Sequence, residues 1–291
     1  MLNPHRHQII GIIQQDSKRL IFTTRSQPMS PRSSFRPRLR PIVTAGAVLA
    51  AFLVNVWANV APINGQTIGD ISNQQFGDIL MTPESYAFAI WGLIYVGLFV
   101  LAAYQLRPAQ QDNPRLQSTY WLAAACLAQM VWVFLFLTGQ FVASLVAMVA
   151  ILLALLVFYQ RLRSDSRASD AEKWRSQRPV SLYLGWISVA TVLNVAIALD
   201  SAGWRGWGIP PVMWTVLMVL VAASLGGLVL WRYADWVYPG VVVWALVAIA
   251  VRHSSRPLLG GIAAGSAGLL TLLMGWRYWR YASGSRQHRL L

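Results

Sequence analysis

Charge within the long apolar runs is what this sequence lacks first. Its only lysines, Lys18 and Lys173, lie in polar segments. That excludes a retinal Schiff base, which needs a lysine inside the membrane. The four histidines, His5, His7, His253 and His288, stay out of the middle of every apolar run, so a haem ligated by histidine within a bundle is not expected. No Asp or Glu occupies the centre of a hydrophobic stretch, and the carboxylate relay of a proton pump is missing with them. The single cysteine, Cys126, sits inside an apolar run and supplies neither a disulfide framework nor a Cys-based metal site. With no nucleophile–base pair and no phosphate loop to be read, conventional catalysis is not expected.

Apolar length stands in place of charge. Of 291 residues 56% are hydrophobic and 12% charged, and the mean hydropathy is +0.48. A soluble domain carries about twice that charge. Runs close to the roughly 20 residues that cross a bilayer as helix recur along the chain. The expected fold is therefore an all-α integral membrane protein. Spans are predicted at about 41–61, 86–106, 118–137, 141–160, 180–199, 211–231, 237–251 and 258–276. The seventh is short enough to be either a crossing or a re-entrant turn. The net charge of +14 belongs to loop arginine and not to a nucleic-acid partner. With both termini cytoplasmic, every Lys and Arg except Arg205, Arg252 and Arg256 falls on a cytoplasmic segment. The location expected is the plasma (inner) membrane, crossed many times.

Three spans place aromatic and amide side chains on one helical face. In the second, Phe88, Trp91 and Tyr95 are spaced by three and four. In the third, Gln129, Trp132 and Phe136 repeat that spacing, and in the fifth Trp186, Ala190 and Asn194 recur every four. Such faces either pack the bundle core or line a cavity, and amides this deep face inward because lipid offers them no partner. Asn59, near the far end of the first span, is a further candidate. In the last span, Gly260, Gly261, Gly265 and Gly268 point to close helix packing, within the chain or across a homodimer.

These residues resemble the TspO/translocator-protein family, the tryptophan-rich sensory proteins. The family's second-helix pattern, close to F-P-V-W-T-x-L-Y, is similar to Phe88-Ala89-Ile90-Trp91-Gly92-Leu93-Ile94-Tyr95. Its N-x-x-W-S-x-x-F-F resembles Gln129 to Phe136, and its P-Y-x-x-W-V-x-F-A-x-x-L-N resembles Leu182 to Asn194, the most specific of the three. Ala89 replaces a family proline and Gln129 a family asparagine. The first loop carries acids where the family has a Lys-Pro-x-Trp-x-Pro-Pro lid, and three helices follow the family's five. The resemblance implies a five-helix bundle at 41–200 with a three-helix extension at 201–280, between a basic disordered cytoplasmic tail at 1–40 and a basic cytoplasmic tail at 281–291. It also implies an intramembrane pocket for a planar hydrophobic small molecule, a porphyrin above all. The implied lining is Asn59, Phe88, Trp91, Tyr95, Gln129, Trp132, Trp186, Ala190 and Asn194. A receptor or sensor role follows, with no cofactor or metal required. The alternatives are transport of a hydrophobic molecule and Trp-assisted porphyrin photodegradation.

Overall fold

Backbone amides in hydrocarbon have only their own chain to bond, so long apolar runs fold as helices. The computed structural model describes residues 39–110, 112–164 and 168–287. The expected tail at 1–40 lies almost wholly outside them, as do residues 288–291. Among the described residues there is no strand, and eight long helices follow one another: α1 (Leu39–Val60), α2 (Ile90–Leu106), α3 (Tyr120–Leu137), α4 (Phe141–Arg163), α5 (Arg178–Ser201), α6 (Pro211–Tyr233), α7 (Val237–Arg252) and α8 (Pro257–Gln287). All but α7 are long and apolar enough to cross a membrane, α2 being counted with the helical turn before it from Ser85. The last runs well past 276, the end expected for its span.

Local chemistry sets the helix limits. Pro108 forces Arg107 into an extended conformation (ψ 136°), and α2 stops there. Between α3 and α4, Gly139 takes φ 77°. Its N–H bonds Phe136 O (3.2 Å), and that of Gln140 bonds Leu135 O (2.9 Å). This is the pair of bonds that closes a helix on a left-handed residue, and it explains how the two helices reverse direction in three residues. After α6, Ala234 takes the left-handed role (φ 50°). Asp235 then accepts from the N–H groups of Val237 (2.9 Å) and Tyr238 (3.4 Å), capping α7.

The first five helices pack as α2 on α1 and α5, α3 on α1 and α4, and α4 on α5. The remaining three are not a separate body. α7 packs on α5 as well as on α6 and α8, and it is the joint between the two groups. Its 16 residues rise only about 24 Å. Even so, its two ends meet opposite ends of the five-helix bundle. At its start Asp235 binds Arg163 at the end of α4 (2.7 Å) and accepts from the Tyr159 hydroxyl (2.8 Å). Arg163 also reaches Ser181 on α5. At its far end Arg252 and His253 meet the loop between α1 and α2 through Asn73 and Leu80.

Gly185 permits the α5–α7 contact. A Cβ there would sit 3.1 Å from Val241 Cβ and 3.2 Å from the Tyr238 carbonyl, and backbone cannot yield as a side chain can. Gly185→Leu is expected to lower stability by about 1–3 kcal/mol through overpacking, with Gly185→Ala costing less. Thermal melts in detergent would read the order. The glycines of the last span divide. At Gly260 a Cβ would lie 2.7 Å from His253 O, whereas Gly265 and Gly268 have nothing within 4 Å. Only the first of these is needed for packing inside the chain.

Candidate functional site

A cavity of about 30 Å³ lies among α2, α3, α4 and α5, under the first loop. That is room for one water-sized molecule. Its wall holds Phe88, Trp91, Trp132, Phe136, Met148, Trp186, Val189, Ala190, Leu193, Asn194 and Ile197, and the loop adds Ile68, Ser72 and Pro83. No charged side chain is among them. The rings pack at edge and tilted angles: Phe88 on Trp186 with centroids 5.9 Å apart at 83°, and Trp132 on Phe136 at 5.2 Å and 31°. Behind the wall, Trp91 stacks on Tyr95 at 6.0 Å and 29°. Quadrupole attraction favours such arrangements over a face-to-face sandwich.

The face of α5 is positioned by helical repeat. Trp186, Ala190 and Asn194 fall one turn apart, and Val189, Leu193 and Ile197 complete the stripe beside them. Asn194 is the anchor of this wall. Its Oδ1 accepts from Trp132 Nε1 (2.8 Å) and its Nδ2 donates to Ser144 Oγ (3.1 Å), which in turn donates to Phe141 O. One side chain thus ties α5 to α3 and α4. It also fixes the plane of the Trp132 indole.

Six of the nine residues expected in the lining come together here: Phe88, Trp91, Trp132, Trp186, Ala190 and Asn194. Three do not. Asn59 is exposed, and its side chain turns back to donate to Asn55 O (2.8 Å) on its own helix. Tyr95 lies one turn beyond Trp91, where its hydroxyl donates to Ala51 O (3.0 Å) and closes the α1–α2 contact. Gln129 is spent between two tyrosines. Its Nε2 donates to Tyr95 Oη (2.6 Å), and its Oε1 accepts from the Tyr183 hydroxyl. Both are structural ties one layer away from the cavity. Of the residues that were not expected, Val189, Leu193 and Ile197 follow from the α5 repeat. Met148 and the three loop residues carry no pattern that would have marked them.

The first loop closes the cavity and is itself held by α7. Thr67 and Asp70 cap its short helix reciprocally, and the Thr67 hydroxyl and N–H together draw the Asp70 carboxyl below its usual range. Further on, Glu84 N–H donates to Ala248 O (3.2 Å) and Trp244 Nε1 to Ala87 O (3.2 Å). Tyr86 packs edge-on against Trp244 at 5.3 Å. Arg252 bonds Asn73, and His253 Nε2 lies 2.8 Å from Leu80 O. That distance to a carbonyl requires a proton on Nε2.

Burial lowers the His253 pKa, and the Arg256 and Arg252 guanidiniums push the same way against the Leu80 carbonyl. An unfolded histidine takes up its proton near about pH 6.5, so below that value the unfolded chain binds the proton that the folded one resists. Stability is complete above this range and falls as pH drops through it. The melting temperature of the wild type is expected to decline between about pH 7.5 and 5.5. His253→Gln, which keeps an N–H for Leu80 and cannot charge, should flatten that decline. Parallel curves for the two proteins would show that His253 is not responsible.

Among the described residues no cluster of His, Cys, Asp and Glu could hold a metal ion. The model of a family described as TSPO-like proteins matches residues 41–276, running through α7 and most of α8. No curated protein and no solved structure matches the chain.

Proposed function

The chain belongs to the TSPO-like protein family, and from that premise we propose that it is a membrane receptor or sensor which takes a flat apolar ligand, a porphyrin or related tetrapyrrole, into the aromatic cavity. It is an integral, multi-pass membrane protein of a family of sensor and binding type. One observation carries the reading: five separate aromatic side chains, Phe88, Trp91, Trp132, Phe136 and Trp186, face one uncharged cavity. Flat aromatic faces reward a flat ligand, and the absence of charge favours an apolar one. Asn194 supplies the only amide, already engaged with Trp132 and Ser144, so polar recognition is a minor part of affinity.

At about 30 Å³ the cavity admits a macrocycle only when its rings part. Phe88 is the ring to move. It is half-buried, it belongs to the 3₁₀ segment Ser85–Ala89 ahead of α2, and it sits on the loop side. The tryptophans are held within the bundle. The role proposed is binding, with no cofactor and no catalytic step. The orientation proposed puts the ends bearing Arg107, Arg115, Arg163, Arg178 and Arg232 in the cytoplasm, with the first loop on the other side.

The test is a titration of detergent-purified protein with protoporphyrin, read by tryptophan quenching. Wild type should saturate. Ala190→Phe, which fills the slot without adding polarity, should weaken binding by about tenfold or more, an effect of the size expected when a buried ring is displaced. Affinity unchanged by Ala190→Phe would remove the ligand from this cavity.

A further inference from the structure

We propose that Trp244, on α7, is a positioning residue for Phe88, and that α7 thereby sets the rate at which the cavity is entered. This rests on the reading of the cavity as the binding site. Phe88 closes the loop side of the cavity from a single 3₁₀ turn, a form with weaker hydrogen-bond geometry than an α-helix. The contacts that hold this turn from outside come from α7. Trp244 Nε1 donates to Ala87 O, the carbonyl adjoining Phe88, and the Trp244 ring packs on Tyr86. One turn further along the same helix, Ala248 O receives the Glu84 N–H.

Tilting the Ser85–Ala89 turn carries Phe88 off Trp186, and that tilt breaks the Trp244–Ala87 bond. Trp244 is itself outside the cavity wall and touches no ligand there. It acts only through the turn it holds. The extension that follows the five-helix core is in this way part of the site's control, with α7 gripping the lid while its other faces are packed by α5, α6 and α8.

The experiment separates this gate from the choice of ligand. A Cys126→Ala, Ala190→Cys protein carries one thiol, inside the cavity, and its reaction with a small neutral maleimide reports opening without any porphyrin. Trp244→Phe deletes the indole N–H and keeps a ring against Tyr86. It is expected to speed labelling about fivefold, the population change from one lost hydrogen bond. Protoporphyrin association should quicken by about the same factor, since only the closed, empty state loses the bond. Val247→Ala, on the exposed side of α7, should alter neither. A structural role alone would lower the melting temperature and leave labelling of the folded protein as it was. Labelling that is indifferent to Trp244→Phe overturns the proposal. Faster labelling in a protein that binds no protoporphyrin upholds the gate and overturns only the ligand.

Discussion

Asp235→Ala is expected to cost about 3–5 kcal/mol, the range for removing one partner of a buried ion pair. The carboxylate is nearly inaccessible, with 2% of its side chain exposed, and its partner Arg163 is at 14%. Four things are lost together: the bond to Arg163, the acceptor for the Tyr159 hydroxyl, and the two backbone N–H groups at the start of α7. The larger part of the penalty is the Arg163 guanidinium left in a site built for a pair, where the partners that remain among the described residues are Tyr233 O, Ser181 and the Tyr159 ring. That origin makes a second expectation. Arg163→Met combined with Asp235→Leu removes both charges and should recover part of the loss, since an apolar pair of similar volume is often no less stable than the ions. Thermal melts of the three proteins in one detergent would decide it. A double variant worse than Asp235→Ala would place the value of Asp235 in capping α7 and not in the ion pair.

Gln129→Leu should cost about 2–3 kcal/mol, because it strands buried hydroxyls in an apolar surround. Tyr183, fully buried, loses its acceptor. Tyr95 loses the amide donor while keeping Ala51 O. The same substitution should leave protoporphyrin affinity of the folded protein within about threefold, since Gln129 does not line the cavity and touches its wall only through Tyr95 and Tyr183, which pack on Trp91. Melting temperature and titration of one preparation read both quantities. A large loss of affinity without loss of stability would return Gln129 to the binding wall, where its helical spacing with Trp132 first suggested it belonged.

Spacing grouped much of the cavity wall on shared helical faces, and the family resemblance is what marked those faces as a lining. The three- and four-residue recurrences on α2, α3 and α5 bring Phe88, Trp91, Trp132, Trp186, Ala190 and Asn194 to one cavity, because residues a turn apart share a face whatever surrounds the helix. The long apolar runs likewise announce the helices, since lipid permits no other open backbone. What periodicity cannot do in this chain is say how deep along a face the cavity extends. Tyr95 continues the stripe of Trp91, and Gln129 that of Trp132. Both lie beyond the floor of the cavity, and only the meeting of α1, α2, α3 and α5 puts them there. Asn59 fails for a related reason. Near a helix end an amide can satisfy itself on its own backbone, so polarity gives no inward direction.

The place of α7 was the least legible. In a soluble protein a helix buried on several sides betrays itself by lacking a polar face. Here every spanning helix lacks one, whether its neighbour is lipid or protein, and composition loses that contrast. A short apolar segment ending in two arginines that break the charge rule therefore reads as marginal. The packed bundle makes it central, by two features of long sequence separation: a glycine on α5 that lets it approach, and a loop some 160 residues earlier that covers its end. Composition and helical repeat settle that this chain crosses a membrane and which aromatic faces it carries. The layer at which the cavity ends, and the helix that grips its lid, follow from contacts between distant segments, whose chemistry is the same apolar packing that lipid would provide.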